Sequence, residues 1–383
     1  MKTRNEPNCR KTTTMVEAVY QLANLHTYKN NSKKKKILLI APSNDATDIL
    51  VEKLAPYFPP SEMIRVLAFT RSIDQVSEGA RPYCEEGLQA KSLIQKIMNC
   101  QITVATVNMA ARLWCTGGNN KKNNGPGDCI PKGYFDVLCV DEAGHATEPE
   151  VIAVAATLMN FHKDNNNNDD PGQIVLAGDP QQLGPIITSE LCKKFKMDQS
   201  YMERLIKTCP PYMLESNNNK YRHELVTLLV NNYRSHPDIL KLPNEMFYRN
   251  ELKPRGDKFT THSMTKWEHL PVPNFPIIFH AVDGENSREG SSPSWFNIEE
   301  SMVVVDYVNN LVKHSKPKIS QHDIGIITPY ARQVQKVSLS FCKLYLPPHL
   351  VNFWLFTCAY CRTYIYLLVC FLFKIDPDWS KIG

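Results

Sequence analysis

Phe135-Asp136-Val137-Leu138-Cys139-Val140-Asp141-Glu142-Ala143-Gly144-His145 decides the fold. The apolar run has the length and side-chain content of a buried strand, and it ends abruptly in two acids. A strand ending this way places its carboxylates at the C-terminal edge of a sheet, where open α/β sheets bind ligands. One acid can hold a Mg²⁺ ion through its water shell while the other polarises an attacking water, the division of labour in phosphoryl transfer. Asp141 is assigned to Mg²⁺ and Glu142 to the water.

Two further motifs follow in order. Gln173-Ile174-Val175-Leu176-Ala177-Gly178-Asp179 is a second apolar strand, running into Pro180-Gln181-Gln182. Neighbouring strands then deliver polar groups to one edge, and Gln182 is placed to touch the terminal phosphate or the bridging water, coupling hydrolysis to movement. Asn232-Tyr233-Arg234-Ser235-His236-Pro237 supplies a flat ring for a base and a guanidinium whose fork suits phosphate better than an ammonium. Together the three motifs indicate an NTP-driven nucleic-acid motor.

With these phrases on the page the chain resembles the superfamily 1 helicases of the Upf-like branch, and within it the Armitage and Moloney-leukaemia-virus-ten-like RNA helicases. Phe275 to His280, Arg288-Glu289-Gly290 and Ser294-Trp295-Phe296-Asn297 also look like that subfamily, and the resemblance covers residues 11 to 337. It implies two RecA-like domains that clamp ATP and move 5′ to 3′ along single-stranded RNA, with a role in RNA-mediated gene silencing and silencing proteins as partners. It further implies RNA contacts at Pro42, Ser43 and Asn44 after the strand Ile37 to Ile40, at Thr106 and Asn108 after Thr103-Val104-Ala105, and at Pro329 and Tyr330 after Ile324 to Thr328. Small residues and side-chain amides or hydroxyls let a phosphate backbone approach closely, and a tyrosine can stack on a base. Nothing in these phrases reads a 2′-hydroxyl, so a DNA helicase of the same branch stays open.

A phosphate loop of the form G-x-x-x-x-G-K-[ST] curls backbone N–H groups around phosphates. The corresponding residues here are Asn5-Glu6-Pro7-Asn8-Cys9-Arg10-Lys11-Thr12. Lys11 and Thr12 match, as ATP ligands and, for Thr12, a second Mg²⁺ ligand, and a helix is expected behind them. Both glycines are replaced, and no strand has room to precede the loop. Residues 1–10 are therefore expected not to be native upstream sequence, as a truncated or misjoined gene would produce. After Val337 the Gln-Gly-Glu-type and arginine-bearing closing motifs are not found. Val351 to Phe373 is an apolar stretch near the length of a membrane span, but Arg362 in its middle argues against an anchor.

The expected fold class is α/β, with two RecA-like domains built on parallel sheets, the first lacking its initial strand and the second incomplete. The expected division is a non-matching leader (1–10), a first domain (11–205), a hinge (206–219), a partial second domain (220–340) and a non-matching apolar tail (341–383). With 383 residues, 43% of them hydrophobic, the chain can build two cores, and a net charge of +5 permits RNA binding. Twelve scattered cysteines, some in expected strands, suit a reduced cytoplasmic setting, and the family resemblance adds ribonucleoprotein granules as an expectation. Asn-rich runs such as 119–124, 165–168 and 217–219 are expected as loops. Two functions follow: an ATP-dependent RNA helicase, or a catalytically inactive RNA-binding fragment of one.

Overall fold

A computed structural model describes residues 10–28, 34–87, 89–115, 129–159, 161, 171–315, 318–319, 323–328, 330–343, 352–355 and 368–369. The chain divides into two units, Met1–Leu229 and Val230–Gly383. In chain order the first contains α1 (Arg10–Tyr28), β1 (Ile37–Ala41), α2 (Asn44–Leu54), β2 (Met63–Val66), α3 (Ala90–Asn99) and β3 (Ile102–Thr106). It continues with α4 (Val107–Cys115), β4 (Val137–Val140), α5 (Glu148–Leu158), β5 (Gln173–Leu176), α6 (Glu190–Lys194) and α7 (Tyr201–Thr208).

The five strands form one parallel sheet in the order β2-β3-β1-β4-β5. Strands β1 and β4 are buried along their whole length, as expected of parallel strands covered on both faces by helices. Leu38, Ile40, Val66, Ala105, Leu138 and Val140 pack with Ile94, Ile97 and Leu113 and with Val151, Val154 and Leu158 of α5. Each Val, Leu or Ile side chain among them contributes about 1.5–3 kcal/mol on leaving water. Helix α1 buries Met15, Val16, Val19 and Ala23, and Gln101 donates from Nε2 to the Ala23 carbonyl at 2.8 Å. Strand β5 is the outer strand, and Val175 on it is 37% exposed.

The chain leaves β1 for β2 on one side and leaves β4 for β5 on the other. The β1–β4 boundary is thus a topological switch point, with its crevice at the strand C-termini. The architecture is α/β and consistent with a RecA-like fold. Among the described residues no strand precedes α1.

The second unit contains β6 (Asn231–Asn232), α8 (Pro237–Phe247), β7 (Lys253–Pro254), α9 (Lys258–Thr261), β8 (Ile277–Ile278), β9 (Ser287–Arg288) and β10 (Trp295–Phe296). Then come α10 (Ile298–His314), β11 (Gly325–Thr328), α11 (Ala331–Lys343), β12 (Asn352–Leu355) and β13 (Leu368–Val369). Among the described residues its strands pair only two by two. Its core joins Met264, Trp267 and Leu270 to Val304, Val305, Val308 and Leu311 of α10, with Ile324 and Val337. Gln333 fastens α11 to the start of α10: its Oε1 accepts from Asn297 N–H at 2.7 Å and its Nε2 donates to the Asn297 carbonyl at 3.1 Å.

Asn217–Asn219 is an exposed turn. The Asn-rich runs 119–124 and 165–168, leader residues 1–9 and most of the apolar tail lie outside the described residues. No helix among the described residues is long and apolar enough to cross a membrane.

Candidate functional site

Strand β4 delivers Asp141 to the crevice with its side chain 1% exposed, and Asp141 N–H donates to the Ile40 carbonyl of β1 at 2.8 Å. The chain then turns sharply. Glu142 has φ +51°, a left-handed conformation uncommon for a residue with a side chain. The turn is held by Glu142 N–H donating to Asp141 Oδ1 at 3.0 Å and by Ala143 N–H donating to the Ala177 carbonyl at 2.8 Å. Its effect is to aim consecutive carboxylates at the start of α1. Thr12 Oγ1 donates to Asp141 Oδ2 at 3.1 Å, and Lys11 Nζ lies 3.6 Å from Glu142 Oε2.

Burial raises the Asp141 carboxyl to about 6, the Glu142 charge pushes the same way, and hydrogen bonds from Glu142 N–H and Thr12 oppose them with Lys11. His145, half-buried, has Nε2 3.9 Å from Glu142 Oε2. Burial lowers its proton affinity, against the pull of Glu142. A crowded pair of acids with one nearby lysine and an adjacent hydroxyl is an all-oxygen donor set, which suits a hard divalent cation. No cluster of three or more His, Cys, Asp or Glu groups suited to a metal occurs among the described residues.

The loop after β5 packs directly on this turn. A Cβ on Gly178 would lie 2.7 Å from Gly144 N, and one on Gly144 would lie 2.8 Å from the Asp179 carbonyl oxygen. Backbone meets backbone there, and only glycine permits the approach. Gln182, exposed, donates from Nε2 to Asp179 Oδ2 at 2.9 Å, and Gln181 N–H donates to Asp179 Oδ1 at 3.0 Å.

The same sheet edge carries Pro42, Ser43 and Asn44 after β1, and Thr106 and Asn108 after and within the β3–α4 junction. Ser43 caps α2, its Oγ accepting from Ala46 N–H at 3.1 Å, and Thr106 Oγ1 accepts from Met109 N–H at 3.3 Å. Both use an oxygen lone pair for capping and keep a hydroxyl proton to donate. Asn108 is exposed on the first turn of α4.

Tyr233 and Arg234 belong to the second unit, where both are half-buried. Asn232 Oδ1 shapes their turn by accepting from Arg234 N–H at 3.0 Å and Ser235 N–H at 2.8 Å. Tyr330, half-buried before α11, donates its N–H to Thr328 Oγ1 at 3.4 Å, and Pro329 lies outside the described residues. The structure therefore brings Lys11, Thr12, Asp141 and Glu142 into contact, sets Gln182 on the adjoining loop and the first group of RNA candidates along the same edge, and holds Tyr233, Arg234 and Tyr330 within the other unit.

Three features escaped the reading of motifs. His145 had a signal in its position after Asp-Glu-Ala-Gly, and the glycine contact had one in a glycine shortly after each strand end, Gly144 and Gly178. The third, a buried ionic group around Arg65, was signalled by a lone charge in the apolar strand Met63–Val66.

Two family models, each described as an AAA domain, match the chain, one over residues 4–113 and 97–190 and the other over 197–348. With the Lys-Thr start of α1 set against an Asp-Glu strand end, they define the class as a nucleotide-binding helicase core. The chain is 38% identical over 341 residues to "Putative helicase mov-10-B.1" of Danio rerio, covering 86% of this chain and 31% of that one. It is 37% identical over 339 residues to "RNA helicase Mov10l1" of Mus musculus (87% and 26%) and 27% identical over 369 residues to "Probable RNA helicase armi" of Drosophila melanogaster (88% and 28%). The chain belongs to this family, the superfamily 1 helicases related to Mov10, Mov10l1 and Armitage. It spans about a third or less of the length of these relatives.

Proposed function

We propose that this chain is the motor core of an ATP-dependent RNA helicase, which couples ATP hydrolysis to 5′-to-3′ movement on single-stranded RNA in RNA-mediated silencing. The observation that carries it is the contact of Lys11 and Thr12 with Glu142 and Asp141, residues far apart in sequence that meet at the sheet's switch point. Lys11 neutralises the terminal phosphates and gives up its contact with Glu142 as they arrive. Glu142 then orients the attacking water and takes its proton, while Gln182 senses the γ-phosphate from the neighbouring loop. Thr12 Oγ1 and Asp141 would hold Mg²⁺, which would supply neutralising charge for the triphosphate. Arg234 adds positive charge to the transferred phosphoryl group, and Tyr233 stacks on the base.

RNA lies along Pro42, Ser43, Asn44, Thr106 and Asn108 and, in the second domain, Pro329 and Tyr330. The domains are taken as 11–205 and 220–340, joined through 206–219, and silencing proteins as partners. A cytoplasmic setting is the reading of the scattered cysteines, among them Cys139 buried within β4. A second reading, an inactive RNA-binding fragment, is favoured by one observation: Asn5 to Arg10 offers no glycine for a phosphate loop.

Strand displacement on RNA duplexes with a single-stranded 5′ or 3′ tail tests the proposal. ATP-dependent unwinding of the 5′-tailed duplex alone is expected. RNA binding with no unwinding of either would contradict it and leave the second reading.

A further inference from the structure

We propose that Arg65 is a positioning residue for the loop Pro42-Ser43-Asn44, fixing the Asn44 amide so that it presents hydrogen-bond donors to an RNA phosphate, an assignment that rests on the RNA-contact role given to Asn44 above. Arg65 sits in β2, all four of whose residues are buried, and is itself 1% exposed. Its guanidinium reaches three acceptors: Nε to Asp48 Oδ1 at 3.1 Å, Nη1 to the Val66 carbonyl at 2.5 Å and Nη2 to Asn44 Oδ1 at 3.1 Å.

Arg65 is not needed to neutralise Asp48. Arg71 already grips that carboxylate with both arms, Nη1 to Oδ1 at 3.0 Å and Nη2 to Oδ2 at 2.7 Å. Two arginines on one carboxylate leave an extra positive charge beneath the loop. Burying a charge is costly, and an apolar side chain would fill a strand position as well, so stability alone does not account for Arg65. Its remaining arm does have a use. A guanidinium only donates, so the group of Asn44 that faces it is the carbonyl oxygen. Both Nδ2 protons are thereby held on the opposite side of the amide. Phosphate oxygens only accept, so an amide locked in this sense is matched to RNA backbone. Asn44 is half-buried beside exposed Ser43, whose capping bond to Ala46 holds the loop. Lysine, a compact point charge without a fork, cannot serve three fixed acceptors at once.

The test is equilibrium binding of fluorescein-labelled single-stranded oligouridine to the full chain, followed by anisotropy, with melting temperatures taken alongside. Asn44→Ala should weaken binding about tenfold, the worth of one good hydrogen bond. Arg65→Lys should weaken it by a similar factor, and the double variant should bind no more weakly than Asn44→Ala alone. Asn44→Asp keeps the acceptor for Arg65 and replaces the donors with a negative charge, so it should lose at least tenfold with a melting temperature at or above that of the wild type, and it serves as the test if Arg65→Lys fails to fold. Wild-type affinity in Asn44→Ala would remove both the RNA contact and the proposal. Loss in Asn44→Ala with normal binding in Arg65→Lys, with losses that multiply in the double variant, or with tight binding by Asn44→Asp, would overturn the proposal and leave the RNA contact standing.

Discussion

Glu142 pays for its left-handed backbone with strain of order 1–3 kcal/mol, which persists because Asp141 and the β5 loop hold the turn from both sides. What the strain secures is the aim of its carboxylate. If Glu142 handles the attacking water, Glu142→Gln should cut ATP turnover by roughly 10²–10⁴-fold and leave nucleotide binding intact, as read by phosphate release and by titration with a fluorescent ATP analogue. Unchanged turnover would remove Glu142 from that role. Asp141 yields a prediction of opposite character. Its folded-state value of about 6 lies above the ordinary carboxyl value of 3.8, so the folded protein binds this proton more tightly than the unfolded chain does. The stabilising effect of protonation is full below the unfolded value and is lost as pH rises through about 6, above which the buried charge is a cost. Asp141→Asn should therefore raise the melting temperature of the nucleotide-free protein at pH 7.5, by about 2–4 °C per kcal/mol relieved, and change it little at pH 4. A lower melting temperature at pH 7.5 would show that the bonds from Thr12 and Glu142 N–H outweigh the burial.

At the scale of elements, the loops after β4 and β5 are fitted to each other through Gly144 and Gly178. Gly178→Ala should cost about 1–3 kcal/mol in urea unfolding, because its Cβ would meet backbone that cannot move aside. Gly184→Ala, whose Cβ would stand 3.4 Å from the Asp198 carbonyl oxygen, should cost much less. Equal costs would show that the two loops give way together. The strands that frame the site were legible because β1 and β4 are apolar runs bounded by polar residues and β3 is largely apolar. Helix α10 is legible in the helical spacing of Val304, Val308, Leu311 and Val312, of which the first three are buried and Val312 half-buried. What was not legible is contact geometry. The left-handed Glu142 has no residue signature, since glycine, the usual occupant of that conformation, is absent. Local sequence allowed Ser43 and Thr106 as helix caps but did not show that both lie at one sheet edge, or that Arg65 reaches past its own strand to Asn44. Those pairings depend on which strands become neighbours, and the order β2-β3-β1-β4-β5 is not written locally.

Across the whole molecule, the first unit holds the Lys11, Thr12, Asp141 and Glu142 contacts, and Tyr233, Arg234 and Tyr330 lie in the second. The proposed function assigns water and metal to the carboxylates and the transferred phosphoryl group to Arg234. Arg234→Lys should therefore retain RNA binding and lose most RNA-stimulated turnover, a point charge being a poor substitute for a planar fork. Equal loss of binding and turnover would place Arg234 in the RNA interface instead. The central claim is tested most directly by ATP hydrolysis of the purified 383-residue chain with and without single-stranded oligouridine, with Glu142→Gln as the control. Turnover that rises with RNA and vanishes in the variant is the predicted result. A folded, RNA-binding sample with no turnover above the Glu142→Gln background would contradict it.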